Sequence, residues 1–174
     1  YMEKIATGKH VPKDTLDLDF SVEKNIRNYS IASNKKLKDI TVCLLNRPRH
    51  NKIINELKKL NVNIKYISDG DVSAALLVSN KKYDVDIFMG IGGGPEGVIA
   101  AAALNKLNCK FQGRFLFNSD EDKTRAIKMG IRDLNKKYEV NEIVRGESIF
   151  CATGITSCDL MNGIVKDNDK YITE

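Results

Sequence analysis

Val85-Asp-Ile-Phe-Met89 runs directly into Gly90-Ile-Gly-Gly-Gly-Pro-Glu-Gly97 and then into the alanine-rich stretch from Val98 to Leu107. A short apolar run, a glycine-rich segment and a strong helix former in succession read as strand, loop and helix. Two similar units precede it. Ile40-Thr-Val-Cys-Leu-Leu45 has no room for a solvated face, which suits a central parallel strand. The helix after it starts near Pro48, with Ile53, Ile54, Leu57 and Leu60 on one face and Lys52, Asn55, Glu56 and Lys59 opposite. Val62-Asn-Ile-Lys-Tyr-Ile67 alternates as a more marginal strand does, and Asp71 is a candidate cap for a helix that reaches Val78. Strands alternating with helices at this pitch predict βαβ crossovers, and so an α/β fold with a largely parallel or mixed sheet flanked by helices.

Outward from this centre, the first 20 residues read as a polar lead-in to a helix capped by Ser21 and ending near Ile31. Beyond Leu107 the pattern predicts a strand from Phe111 to Phe117, a polar helix from Asp120 to Met129 and a strand around Ser148 to Ala152. The helix from Val98 to Leu107 is apolar nearly all round, which predicts burial. A length of 174 residues fits a single domain, 1–174. The chain opens on Tyr1, and Lys170 to Glu174 run strand-like to the end, so it reads as a piece of a longer protein.

The composition, 42% hydrophobic and 29% charged, excludes collagen-like, disulfide-scaffold and disordered classes. No apolar run reaches the roughly 18 residues of a membrane span, and no secretion signal is present, so a soluble, cytoplasmic protein is expected. The net charge is +5, but its bases are interleaved with acids, tryptophan is lacking and aromatics make up 7%, all of which argue against nucleic acid as a partner. Cys43, Cys109, Cys151 and Cys158 form no CxxC pair, and two histidines cannot build a zinc finger. Reduced, buried thiols are expected.

Open α/β sheets bind ligands outside the carboxyl ends of their strands. There the sequence places Asn46-Arg47-Pro48-Arg49-His50, Ser68-Asp69-Gly70-Asp71 and Gly90 to Glu96. Two arginines around a proline at a helix start suit a phosphate, although each could equally pair on the surface. Asp69-Gly70-Asp71 could hold a hydrated cation or accept hydrogen bonds from sugar hydroxyls, or be a turn with a cap. Gly90-x-Gly92-x-x-Pro95 lacks the third glycine of a dinucleotide loop, and no clean ribose-binding acid follows it. Glu96 beside Pro95 suggests a metal ligand at a phosphate edge, against the plainer reading of a helix-dipole acid. His50 reads as a surface or supporting histidine, His10 as inert, and Thr153-Gly154-Ile155-Thr156 as a turn that could lend hydroxyls.

Taken in order, Tyr1-Met-x-Lys4, Leu16-Asp-Leu-Asp19 with Asn25-Ile-Arg-Asn28, Arg47-Pro-Arg-His50, Asp69-Gly-Asp71, Gly90-Ile-Gly-Gly-x-Pro-Glu-Gly97 and Ala152-Thr-Gly-Ile-Thr156 cover almost the whole chain. This series resembles the C-terminal half of the class II fructose-1,6-bisphosphatases, within the inositol-phosphatase-like superfamily. The resemblance implies the C-terminal part of a two-subdomain, metal-dependent sugar phosphatase. It would remove the 1-phosphate of fructose 1,6-bisphosphate in gluconeogenesis, and some relatives also accept sedoheptulose 1,7-bisphosphate. Tyr1, Arg47, Pro48, Arg49, Asp69, Gly70, Asp71 and Gly93 would bind substrate, and Glu96 would ligate Mn2+ or Mg2+, the cation that activates water. A homo-oligomer is implied for the whole protein. Family members carry most metal ligands in an N-terminal half that this sequence does not include, and one Glu cannot satisfy a cation wanting about six oxygens. The chain alone is therefore expected to be inactive. The competing class is a Rossmann-like module that binds a sugar phosphate or nucleotide without catalysis.

Overall fold

The computed structural model describes residues 1–173; Glu174, at the end of the strand-like C-terminal run, lies outside the described residues. In chain order the elements are β1 (Met2–Thr7), α1 (Val22–Ser33), β2 (Thr41–Leu45), a 3-10 turn Pro48–His50 leading into α2 (Asn51–Lys59), β3 (Asn63–Ile67), α3 (Asp71–Leu76) and β4 (Ile87–Gly92). There follow α4 (Gly94–Lys106), β5 (Lys110–Phe115), α5 (Asp120–Lys128), β6 (Lys137–Glu139), α6 (Val140–Ile143), β7 (Val165–Asp167) and β8 (Lys170–Ile172). Six strands form one sheet in the order β3-β2-β4-β1-β5-β6, while β7 and β8 make a separate hairpin.

The sheet is mixed. β2 is parallel to both β3 and β4, as the apolar run 40–45 predicts, and all five of its residues are buried. β3 lies at the edge, which explains its half-exposed alternation. β1 stands between β4 and β5 and is antiparallel to both, with Met2 opposite Gly92 and Phe115. The polar lead-in expected over the first 20 residues thus contains an inner strand of the sheet. Lys4 and Thr7 mask it in the sequence, yet both are buried. Thr7 donates to the Asp86 carbonyl at 2.9 Å, and Lys4 has its own buried partner, described below.

Helices cover both faces. Ile26 and Tyr29 of α1, with Ile54 and Leu57 of α2, pack with Ile5, Val42 and Leu44 on one face. Ala74 and Leu76 of α3, with Ala100, Ala101 and Leu104 of α4, pack with Met2, Ala6 and Cys43 on the other. Successive β2 residues therefore alternate between the two cores, as a pleated strand must. Away from the ligand edge, Asp86 accepts from Tyr29 Oη (2.8 Å), Thr41 N (2.9 Å) and Lys35 Nζ (2.7 Å), tying α1 to the starts of β2 and β4. Burial, reinforced by Asp86, pushes the Tyr29 hydroxyl well above the usual tyrosine range. The segment Leu16 to Asp19 is clamped across β5 and β6: Lys137 Nζ meets Asp17 at 2.6 Å, and Arg114 bridges Glu3 (2.6 Å) and Asp19 (2.8 Å). The Lys137 and Arg114 hydrogen bonds hold the Asp19 carboxyl below the usual carboxylate range.

Other expectations are corrected by packing. β4 continues through Gly90-Ile91-Gly92, because β1 offers it a full set of partners, and α4 begins at Gly94 rather than Val98. α4 buries only one side; Val98 and Ile99 are 43% and 49% exposed. Gly70, not Asp71, is the N-cap of α3. Ser148 to Ala152 form no strand, and Ile149 is 97% exposed. Apolar alternation there finds no partner strand; the short β6 pairs with β5 instead.

All four cysteines are free, as expected, but only Cys43 and Cys109 are buried, while Cys151 and Cys158 are exposed. Burial pushes the Cys43 thiol up to about 12 and raises that of Cys109 as well. Thiolate is the reacting form, so raised values and burial both slow modification. Two thiols are expected to react rapidly with a disulfide reagent at pH 8 in the native protein, and the other two only after unfolding. A count of four fast thiols would contradict the buried placement.

Candidate functional site

The strand directions bring several loops to one edge. β2, β3 and β4 all end there, and so does β5, while antiparallel β1 begins there. Tyr1 is consequently placed among the loops after β2, β3 and β4 without any helix to carry it. Its carbonyl accepts from Leu116 N at 2.8 Å, and its exposed ring lies under Arg49, whose Cζ is 5.7 Å from the ring centroid.

The loop after β2 is fixed from beneath. Of the two readings of His50, the supporting one holds: it is fully buried, with Nδ1 2.7 Å from the Leu45 carbonyl and Nε2 2.8 Å from Ile91 N. The tautomer that serves both backbone partners carries its proton on Nδ1. Arg49 Nε donates to the Ile91 carbonyl at 2.6 Å, which leaves its terminal nitrogens for other acceptors. Two side chains from this loop therefore hold one residue of β4. Pro48 sets the first turn, and Arg47 reaches Asp69 of the next loop at 3.9 Å.

The two carboxylates of the loop after β3 have different surroundings. Asp69 is almost fully exposed, and its Oδ1 accepts from Gly70 N at 3.0 Å. Gly70 adopts φ +91, a left-handed conformation that lets the chain turn sharply into α3. Asp71 points inward and pairs with Lys4 Nζ at 2.6 Å. Its Oδ2 faces that lysine, and its Oδ1 is buried without a hydrogen-bond partner. A cleft of about 360 Å³ adjoins Asp69, walled by Ser68, Ser73, Ser157, Cys158 and Asp159. No motif in the sequence marks residues 157–159 as bordering this edge. By contrast, Gly154 backs onto the Asn162 carbonyl and Ile155 accepts from Ile164 N, which holds residues 154–155 against residues 162–164.

At the start of α4, Gly93 is the N-cap and Glu96 folds back so that Oε2 accepts from Gly93 N at 3.0 Å. The glycines here make room for side chains of this protein. A Cβ on Gly92 would lie 1.7 Å from Asp71 Oδ2, and one on Gly97 would lie 3.0 Å from Lys4 Cε and 2.4 Å from Met2 Sδ. The edge thus brings together Tyr1, Arg47, Pro48, Arg49, Asp69, Gly70, Asp71, Gly93 and Glu96, with His50 as a support and with Lys4, to which the motifs assigned no role, beneath Asp71. Among the described residues no group of three or more His, Cys, Asp or Glu side chains is arranged to hold a metal ion. No described helix is long and apolar enough to cross a membrane.

A profile of the bacterial, glpX-encoded fructose-1,6-bisphosphatases matches residues 1–174. The chain belongs to this family. It is 36% identical, over its whole length, to fructose-1,6-bisphosphatase 1 class 2 of Escherichia coli K12, of which it covers 55%. It is 37% identical, over 94% of its length, to the D-fructose 1,6-bisphosphatase class 2/sedoheptulose 1,7-bisphosphatase of Synechococcus sp. JA-3-3Ab, of which it covers 51%. The chain spans about half the length of the curated relatives it matches.

Proposed function

We propose that this chain supplies the sugar- and phosphate-binding edge of an enzyme that hydrolyses fructose 1,6-bisphosphate to fructose 6-phosphate. One observation carries the reading: loops after three strands place two arginines, an exposed and a buried carboxylate, and a helix-start Glu at one edge, in a member of this phosphatase family. Arg47 and Arg49 would take a phosphate through guanidinium forks that match its oxygens. Arg49 is pre-set for this by its hydrogen bond to Ile91. Tyr1, Asp69, Gly70, Asp71 and Gly93 would orient the sugar, the carboxylates accepting from hydroxyls.

A hard cation such as Mn2+ or Mg2+ needs several oxygens. This chain offers Glu96, whose carboxylate now rests on Gly93 N, and Asp71 is engaged by Lys4. These residues do not fit a complete metal site, so the remaining ligands would have to come from a part of the family-length protein outside residues 1–174. The name of the Synechococcus relative also brings sedoheptulose 1,7-bisphosphate within the proposed substrate range.

The test is phosphate release from fructose 1,6-bisphosphate with Mn2+, comparing this chain with a family-length protein that contains it. Release by the longer protein alone is the expected result. Turnover by the 174-residue chain would overturn the divided site. Binding without release by either would favour a module that holds sugar phosphates without catalysis.

A further inference from the structure

Along the sequence the basic residues are interleaved with acids, yet the topology sorts them in space. At the edge opposite the arginine loop, β2, β3, β4 and β5 begin and β1 ends. The segments there carry Lys59 before β3, Lys36 and Lys38 before β2, Lys81 before β4, Lys9 after β1 and Lys106 before β5. All six are exposed, and among the described residues none is in an ion pair. Lys4, Lys65, Lys123, Lys136 and Lys137, by contrast, each meet a carboxylate. Because the strands run in the order β3-β2-β4-β1-β5, the six follow one another along neighbouring strand ends. At about 4.8 Å per strand, such a row spans about 20 Å.

Helix dipoles account for part of it. Lys59 and Lys106 close α2 and α4, whose C-termini favour cations. Lys9, Lys36, Lys38 and Lys81 lie outside the α-helices. The acids nearby do not neutralise them: Asp14, Asp39 and Asp84 are exposed and in no ion pair, and Asp86 is taken up by Tyr29, Thr41 and Lys35. Unpaired like charges in a line repel one another and add nothing to the fold, so the partner that suits them is a polyanion.

The chemistry of the row narrows its partner. These segments contain no arginine, so they offer neither guanidinium forks nor bidentate contacts to bases. Their only Phe, Tyr or Trp ring is that of Tyr83, which is half-buried with Lys82 Nζ 4.8 Å from its centroid, and it is not free to stack on a base. What remains is a series of ammonium point charges, which match phosphate without reading anything attached to it. We propose that this edge binds a linear inorganic polyphosphate along its lysine row, at the far end of the sheet from the loops that would take the sugar bisphosphate.

Short-chain inorganic polyphosphate, titrated calorimetrically into the family-length protein over a salt series, tests this. The logarithm of the binding constant is expected to fall linearly with the logarithm of salt concentration. Lys36→Gln, Lys38→Gln and Lys81→Gln combined should weaken binding by about tenfold to hundredfold and lower the salt slope by about 2 to 3, as for the loss of three phosphate contacts. Affinity for fructose 1,6-bisphosphate should stay as it was. Lys128→Gln, Lys166→Gln and Lys170→Gln remove the same net charge from α5 and the β7–β8 hairpin, and should leave polyphosphate binding nearly unchanged. All six substituted side chains are exposed, so both triple variants are expected to fold. Equal weakening by the two triple variants would reduce the effect to net charge and overturn the proposal, as would the absence of binding at about 0.15 M salt. Tighter binding of single-stranded RNA, or of phosphatidylserine vesicles, than of polyphosphate would overturn the choice of ligand.

Discussion

Glu96→Gln in the family-length protein is expected to cut phosphate release from fructose 1,6-bisphosphate by about 100-fold or more, since even residues behind a metal's ligands cost 10–100-fold when changed. Stability should hardly move. Glu96 is exposed on the first turn of α4, and its one hydrogen bond is accepted from Gly93 N. A glutamine keeps that acceptor oxygen and loses only the charge, which at a helix start contributes about 1 kcal/mol at most. Steady-state rates at saturating bisphosphate, with melting temperature beside them, make the comparison. Retention of full activity would leave Glu96 as a helix-capping acid and overturn its proposed role as a metal ligand.

Gly92→Ala should have the largest effect on the fold. The added methyl would lie 1.7 Å from Asp71 Oδ2 and 3.1 Å from Lys4 Nζ, so the carboxylate must move. Asp71 is short and buried, and moving it breaks the ion pair, leaving two buried charges without partners. Overpacking of a core and the breaking of a buried pair together suggest a loss of about 3 to 5 kcal/mol. Gly93→Ala is the built-in contrast. Its φ is −61, and its Cβ would meet only the mobile tip of Glu96, so its unfolding midpoint should lie near that of the unchanged protein. Urea unfolding of the two variants side by side decides the matter; equal midpoints would mean that Lys4 and Asp71 are not locked together.

Much of this was legible before any coordinates. The parallel half of the sheet followed from apolar runs spaced by amphipathic helices, and the loops after β2, β3 and β4 were placed correctly because strand direction alone puts their carboxyl ends together. Hydrophobic pattern could not reveal β1, whose buried positions include Lys4 and Thr7; each is buried only because a distant residue, Asp71 or the Asp86 carbonyl, satisfies it. The same long-range pairing hid why Gly92 is a glycine: its incomplete dinucleotide-like spacing carries no reason for it, whereas the space beside it is filled by Asp71. In the last third, short elements depend on neighbours more than on their own composition. Val140 to Ile143 form a single helical turn beside β6, while the more apolar Ser148 to Ala152 stay irregular.

The position of β1 has a consequence for how the molecule is made. A ribosome delivers this inner strand well before the strands that flank it: Met2 pairs with Gly92 and again with Phe115. Until β4 has left the exit tunnel, β1 is a six-residue segment with unmatched amides on both sides, and one side stays unmatched until Phe115 follows. Closing such distant pairs slows folding, because the entropy of a long loop is lost before its contacts form. Rare codons or a pause before β4 would therefore prolong a state in which Tyr1, Lys4 and the arginine loop have not yet met, and chaperone dependence during synthesis should be sensitive to translation speed over that interval.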